Sequence, residues 1–276
     1  MREFKHTFFH PLILLLSAAS LLTAEEITTS DGQVYSTSSM TRSGNSILVK
    51  VATESGGTLE EGIPIKRIVK VSFAEPPELA QVRTASEDCN TAEVISLSRD
   101  YVSKEMDFRD LPGSWWSQIA DARLLALASA GKNAEASSLA DHIGSLQTPG
   151  SASLARGGTL FGSLESGDTA AVILGAKALP AVGGDKGSAL AQLALGRALL
   201  LKKDYPGALR AFLTIKVFYP SVTLLQPAAL LGAASAYIGL KDTTSAKESL
   251  QDIFDGYPNS IQVSEAKNLR EQLSKS

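Results

Sequence analysis

A single cysteine, Cys89, in 276 residues excludes an internal disulfide, so packing alone must hold the fold. Histidine is nearly as scarce: His6, His10 and His142. The first two lie in a leader-like segment, which leaves His142 as the one imidazole of a processed chain. One histidine and one cysteine cannot supply the three or four ligands of a zinc or iron site. A serine hydrolase would have only His142 as its base, and no Gly-x-Ser-x-Gly elbow accompanies it. Excess positive charge is also missing. A formal net charge of -3 offers no basic field for a phosphate backbone, which excludes nucleic acid as a partner. What the chain does have is 44% hydrophobic residues, enough for one or two well-buried domains.

Residues 1–24 have the pattern of a secretory signal peptide. Arg2 and Lys5 make a positive start, Pro11 to Leu22 form an apolar run, and Ala24 supplies a small residue before the acidic pair Glu25-Glu26. The run from Leu12 to Leu22 is too short to cross ~30 Å of hydrocarbon, so the processed chain is expected to carry no membrane span. No cysteine stands at the junction, which excludes a lipid anchor there. The expectation is an exported protein, periplasmic or attached to the envelope.

From residue 25 to residue 75 the apolar residues alternate or form short β-branched runs with no helical period. Turns are expected at Asp31-Gly32, Ser43-Gly44-Asn45 and Gly56-Gly57, between strands at Ile27–Thr29, Gln33–Thr41, Ser46–Thr53 and Ile68–Phe73. The order of these segments, with Ile63-Pro64-Ile65 before the last, resembles a small SH3-like or Sm-like β-barrel. Ala74-Glu75-Pro76-Pro77 then breaks the strand pattern and sets the domain boundary between 25–75 and 76–276.

Beyond Glu78 the chain turns to Ala- and Leu-rich stretches with apolar spacing of three and four, punctuated by Gly, Pro, Asn and Asp. Two segments overlay without a gap. Lys203-Asp204 recurs as Lys241-Asp242, Ala208 as Ala246, Phe212 as Leu250, Ile215 as Ile253, and Tyr219-Pro220-Ser221 as Tyr257-Pro258-Asn259. Small residues at Gly196 and Ala208, and at Ala234 and Ala246, would let paired helices approach closely. Over Ala189 to Ser260 this resembles the tetratricopeptide repeat, a helical-hairpin solenoid, with Gln192 where an early aromatic is usual and Leu199 in place of a tyrosine that Tyr237 keeps. Weaker spacing places further pairs upstream, for about four in all. Asn259 with Gln262 suggests a cap for a last helix whose face is Ala266, Leu269 and Leu273.

The resemblance implies a concave surface that binds other proteins. Its usual groove-facing positions fall on Gln118, Asp121 and Leu125, on Leu190, Leu193, Arg197 and Leu201, and on Leu231, Ser235 and Ile238. Each apolar position among them has the alternative of packing against a neighbouring helix. Arg197, a lone cation in an apolar helix, serves either a partner or a salt bridge within the repeat. Trp115 and Trp116 are candidate exposed aromatics, of which one is expected in the core because adjacent helical positions point about 100° apart.

Catalytic motifs fail in turn. Val182 to Ser188 has phosphate-loop letters without the spacing and is read as a connector with Ser188 capping the next helix, Asp141-His142 is a surface pair, and Glu60-Glu61 lacks a second acid across a cleft. No catalytic, cofactor or metal residue is assigned. The expectation is a non-enzymatic scaffold or adaptor for protein partners, and the resemblance to exported bacterial tetratricopeptide proteins adds a role in envelope assembly or maintenance. The alternatives are a protein binding cell-wall polymer through the β module and an enzyme using only carboxylates.

Overall fold

The computed structural model describes residues 25–37, 39–53, 56–146, 148–179 and 185–275. The leader expected at 1–24 and the phosphate-loop letters at 182–184 lie outside them.

Six strands come first: β1 (Glu25–Thr29), β2 (Val34–Thr37), β3 (Met40–Ser43), β4 (Ser46–Ala52), β5 (Thr58–Pro64) and β6 (Ile68–Ser72). They form two antiparallel three-stranded sheets, ordered β2-β1-β6 and β3-β4-β5. No closed barrel is present among the described residues. The expected strand Gln33–Thr41 is broken by a side-chain turn, in which the buried Thr37 hydroxyl donates to Ser39 O at 2.7 Å and accepts from Ser39 N at 3.2 Å. That corner carries the chain from one sheet to the other. The three expected turns are in place, with Gly32, Gly44 and Gly56 at φ of 83°, 58° and 82°, a region that costs glycine little and other residues more. Ile27, Tyr35 and Val71 of the first sheet meet Ile47, Val49 and Ile63 of the second in a shared core.

That core is completed from outside residues 25–75. Leu111, with Phe108 beside it, comes from the segment between the second and third helices. In the same segment Pro112 O accepts from Val71 N at 3.0 Å, and Gly113 lies against the Val71 carbonyl with φ at 94°. A Cβ on Gly113 would stand 2.4 Å from Val71 O. Gly113→Ala therefore combines left-handed strain of about 1–2 kcal/mol with a backbone collision. It is expected to loosen the sheets from the helices, read as faster proteolysis within 105–115 while helical circular dichroism is kept.

An ion pair holds the same junction. Arg42 donates to Asp107 O at 2.7 Å and to both carboxylate oxygens of Asp110 at 2.6 and 3.0 Å. The Arg42 hydrogen bonds outweigh burial and hold the Asp110 carboxyl below its ordinary value of 3.8. A carboxylate depressed in the folded state gives stability that is complete above its unfolded value and lost as pH falls through the folded one. Docking of the sheets should therefore weaken only as pH drops below 3.8, and an Asp110→Asn variant should lack that acid-dependent step in hydrogen exchange of β6.

The helical body holds α1 (Pro77–Glu87), α2 (Thr91–Lys104), α3 (Trp116–Ser129), α4 (Asn133–Gly144), α5 (Ser151–Glu165), α6 (Thr169–Ala178), α7 (Lys186–Leu201), α8 (Tyr205–Phe218), α9 (Gln226–Gly239), α10 (Thr243–Gly256) and α11 (Gln262–Lys275). The prolines that end the strand pattern open the first helix, with Pro76 as its N-cap and Pro77 inside its first turn. Ten helices form five hairpins, one more than the approximate four expected, and α11 closes the array.

All five hairpins turn in the same way. A residue with positive φ follows the first helix: Cys89 at 51°, Gly131 at 73°, Gly167 at 78°, Lys203 at 58° and Lys241 at 63°. The next amide then reaches back to close a Schellman turn, from Asn90 to Ala85 O, Lys132 to Leu127 O, Asp168 to Ser163 O, Asp204 to Leu199 O and Asp242 to Tyr237 O. In four hairpins the side chain of that residue also caps the second helix, through Asn90, Asp168, Asp204 and Asp242. Cys89 is thus a buried corner residue, and burial pushes its thiol pKa up, which disfavours the reactive thiolate.

Close approach of the hairpins depends on glycine. A Cβ on Gly157 of α5 would lie 2.2 Å from Gly187 O of α7, and one on Gly187 would lie 2.2 Å from Ser153 O. Gly158 faces Ala140 and Leu124 in the same manner. Gly196 was expected opposite Ala208, but its nearest neighbour is the Phe212 ring, which also fills the space beside Gly232 of α9. The aromatic uses the room that both glycines leave.

Candidate partner-binding groove

Helices α3 and α7 come from hairpins two apart, yet they are joined at both ends. Lys186, at the start of α7, places Nζ 3.0 Å from Asp121 Oδ2 of α3. Arg197, eleven residues on, donates to Ala128 O at 2.7 Å and to Ser129 O at 3.0 Å, two carbonyls at the C-terminal end of α3. Leu190 and Leu193 lie between these anchors on α7 and are fully buried. They are core residues and present nothing to a partner. Leu125 is buried in the same cluster.

Two further links draw distant parts of the chain to α3 and α1. Gln262 of α11 donates through Nε2 to Ser129 O at 2.9 Å, and Thr223 Oγ1 donates to Ser86 O at 3.3 Å. The expected pairing of Gln262 with Asn259 as a helix cap is replaced by this long-range bond. The inner face of the array is thereby largely filled by its own helices.

Two openings lie there among the described residues. The larger, about 460 Å³, is lined by Ser129, Arg197, Leu231, Ser235, Gln262 and Glu265 among others, and brings together three of the residues expected in the groove. The smaller, about 350 Å³, has Gln118 and Leu125 on one side and Lys186, Thr223 and Leu224 on the other. Leu201 and Ile238 line neither opening. Ser129, Gln262 and Glu265 were not foreseen, because only the folding back of α11 brings them to the site.

Arg197 lines the larger opening. Its guanidinium lies 5.8 Å from the Phe161 ring centroid, a cation–π distance. Burial pushes its pKa down to about 10, partly offset by the Glu265 carboxylate. It ties three hairpins together and also lines the cavity. Arg197→Met keeps the length and removes two charge-assisted hydrogen bonds to carbonyls, so it is expected to cost about 2 kcal/mol in urea unfolding.

The tryptophans are structural. Trp116 is fully buried, its indole donating to Val102 O at 2.9 Å, so it is no exposed aromatic. Trp115 is half-buried and donates to Phe73 O at 3.4 Å, which fastens the helices to the end of β6. Asp185, rather than Ser188, is the N-cap of α7. Its Oδ2 accepts from Ser188 N and Oγ at 2.7 and 2.6 Å and from Ser153 Oγ at 2.7 Å. Glu60 and Glu61 lie on β5, where Glu61 is within 2.9 Å of the Tyr35 hydroxyl. No group of three or more His, Cys, Asp or Glu residues able to hold a metal exists among the described residues, and none of the described helices is long and apolar enough to cross a membrane.

Residues 228–260 match the tetratricopeptide repeat family. The match covers α9 from its third residue, all of α10 and the Tyr257-Pro258 stop. No curated protein and no solved structure matches the chain. The other four hairpins repeat the turn geometry of the matched one, and the α7–α8 hairpin also repeats its residues, from Lys203-Asp204 to Tyr219-Pro220. Tetratricopeptide-like hairpins therefore account for the helical body, and repeats of this family point to protein–protein interaction.

Proposed function

We propose that the chain is an exported, non-enzymatic scaffold that holds protein partners at the cell envelope, using the openings around Arg197 and Gln118. The observation that carries this reading is a helical body of five tetratricopeptide-like hairpins closed by α11, with cavities on a largely self-filled inner face. Mixed lining suits a peptide: the exposed Ile261 offers apolar surface, while Ser235, Gln262, Glu265 and Arg197 offer hydrogen-bonding groups of both kinds. The leader pattern at 1–24 supports export, and the absence of an acid–base constellation in the sequence supports a binding role.

Site-specific photocrosslinking tests it. A crosslinking residue at Glu265 or Gln118 of the full chain should trap the same protein adduct in envelope fractions, and one at the exposed Lys267 should not. An adduct pattern independent of position, or no adduct from the two cavity positions, would remove the groove assignment.

A further inference from the structure

The repeat contains its own control for what α8 presents to solvent. When α8 is laid over α10 in the register of the repeat, the inward positions correspond: Ala208 with Ala246, Phe212 with Leu250, and Ile215 with Ile253, all buried. The outward positions do not. Leu209 and Leu213, half-buried against the helical core, and the exposed Val217 and Phe218 of α8 stand where α10 carries the exposed Lys247, Gln251, Asp255 and Gly256. The hairpin therefore folds with a polar outer face, and the exposed apolar end of α8, Val217 and Phe218, answers to something other than the fold. Val217 is 65% exposed and Phe218 62%, and on neighbouring α6 Leu174 is 74% exposed.

The surface is grooved. A cavity of about 530 Å³ lies between α6 and α8, lined by Ile173, Lys177, Leu195, Leu199, Arg210 and Phe218 among others. A shallower one of about 350 Å³ follows α8 itself along Pro206, Leu209, Leu213 and Val217. The rim carries Lys177 and Arg210 against a single carboxylate, Asp204 at the N-terminal end of α8. Neither α6 nor α8 contains an aspartate or glutamate, while they carry Lys177, Arg210 and Lys216 in a chain of net charge -3. Lys216 is paired with Asp252 at 2.7 Å, whereas Lys177 and Arg210 form no salt bridge among the described residues.

We infer that the α6–α8 face is a docking surface for an acidic amphipathic helix of a partner protein. Leu209, Leu213 and Val217 recur every four residues, the spacing that a helix laid in a groove reads. The fourteen residues of α8 give about 21 Å of contact, enough for a partner of four turns. Carboxylates flanking that partner's apolar face would meet Lys177 and Arg210. A second copy of this chain would set the same cations against each other, and a flat bilayer would not fill the cavity between α6 and α8. The inference is independent of the inner-face reading, because it concerns the outer helices.

The probe is a fluorescein-labelled synthetic helix of four turns, leucine on one face and glutamate on the others, with a twin carrying lysine for every glutamate. Fluorescence anisotropy with the full chain should show the glutamate peptide binding at least about tenfold tighter than its twin. A Leu174→Gln, Val217→Asp, Phe218→Gln variant changes only side chains of this face that are more than half exposed. It should keep its melting temperature and lose at least about tenfold in affinity for the glutamate peptide. Arg210→Glu, a single exposed change, should reverse the preference between the peptides. Equal binding of the twins, no binding of either, or full affinity in the triple variant would overturn the inference. So would a triple variant that loses only self-association, or only binding to phosphatidylglycerol vesicles.

Discussion

Replacing Phe212 with alanine is expected to lower unfolding free energy by about 3–5 kcal/mol, a large share of what holds a domain of ordinary stability. The ring is almost fully buried and occupies the space beside two glycines, Gly196 of α7 and Gly232 of α9. Glycines have no side chain with which to close the gap, so the cavity would stay open at its full size. Phe212→Leu is the informative companion. The next hairpin already places Leu250 at this position, so leucine should cost less than half as much, and the difference measured by urea unfolding reports the ring's share.

Gly157→Leu is the second severe change. Helices α5 and α7 touch backbone to backbone there, and a carbonyl 2.2 Å from the new Cβ cannot rotate away as a side chain would. The cost should exceed the usual 1–3 kcal/mol of overpacking, at about 3 kcal/mol or more. Separating these helices would also pull Ser153 from Asp185, removing one of the hydrogen bonds that hold the Asp185 carboxylate at the head of α7. Gly256→Ala is the control: nothing lies within 4 Å of its added Cβ, and stability should stay within about 0.5 kcal/mol of the parent.

Local features of the sequence were legible because local chemistry makes them. Gly32, Gly44 and Gly56 announce turns, and each has positive φ. Asp204 and Asp242 announce helix starts, and each accepts from the amide three residues on. β5 lies outside the expected strands because Gly62 and Pro64 interrupt its alternation; its place at a sheet edge lets the proline do without a ladder bond. The candidate site was legible only in part. Arg197 stood out as a lone cation in an apolar helix, yet its acceptors, Ala128 O and Ser129 O, belong to a helix far back in the chain. Leu190 and Leu193 are apolar whether they face a groove or another helix, and spacing cannot separate the two. What decides is how tightly the hairpins wind, and that follows from a contact between Gly157 and Gly187 that the repeat register does not encode. The earlier hairpins escaped clear recognition for a related reason. Their common feature is a backbone corner, and cysteine, glycine or lysine can occupy it.

The bonds from Gln262 to Ser129 and from Thr223 to Ser86 join residues 133 and 137 positions apart. Stacked hairpins ordinarily touch only their neighbours, so such arrays can fray from either end, one unit at a time. Here the last helix and the turn before α9 hold the first hairpins shut. Such closure favours the all-or-none cooperativity of a globule over the segment-by-segment energetics of an open solenoid, and with it the slower folding that long-range contacts impose.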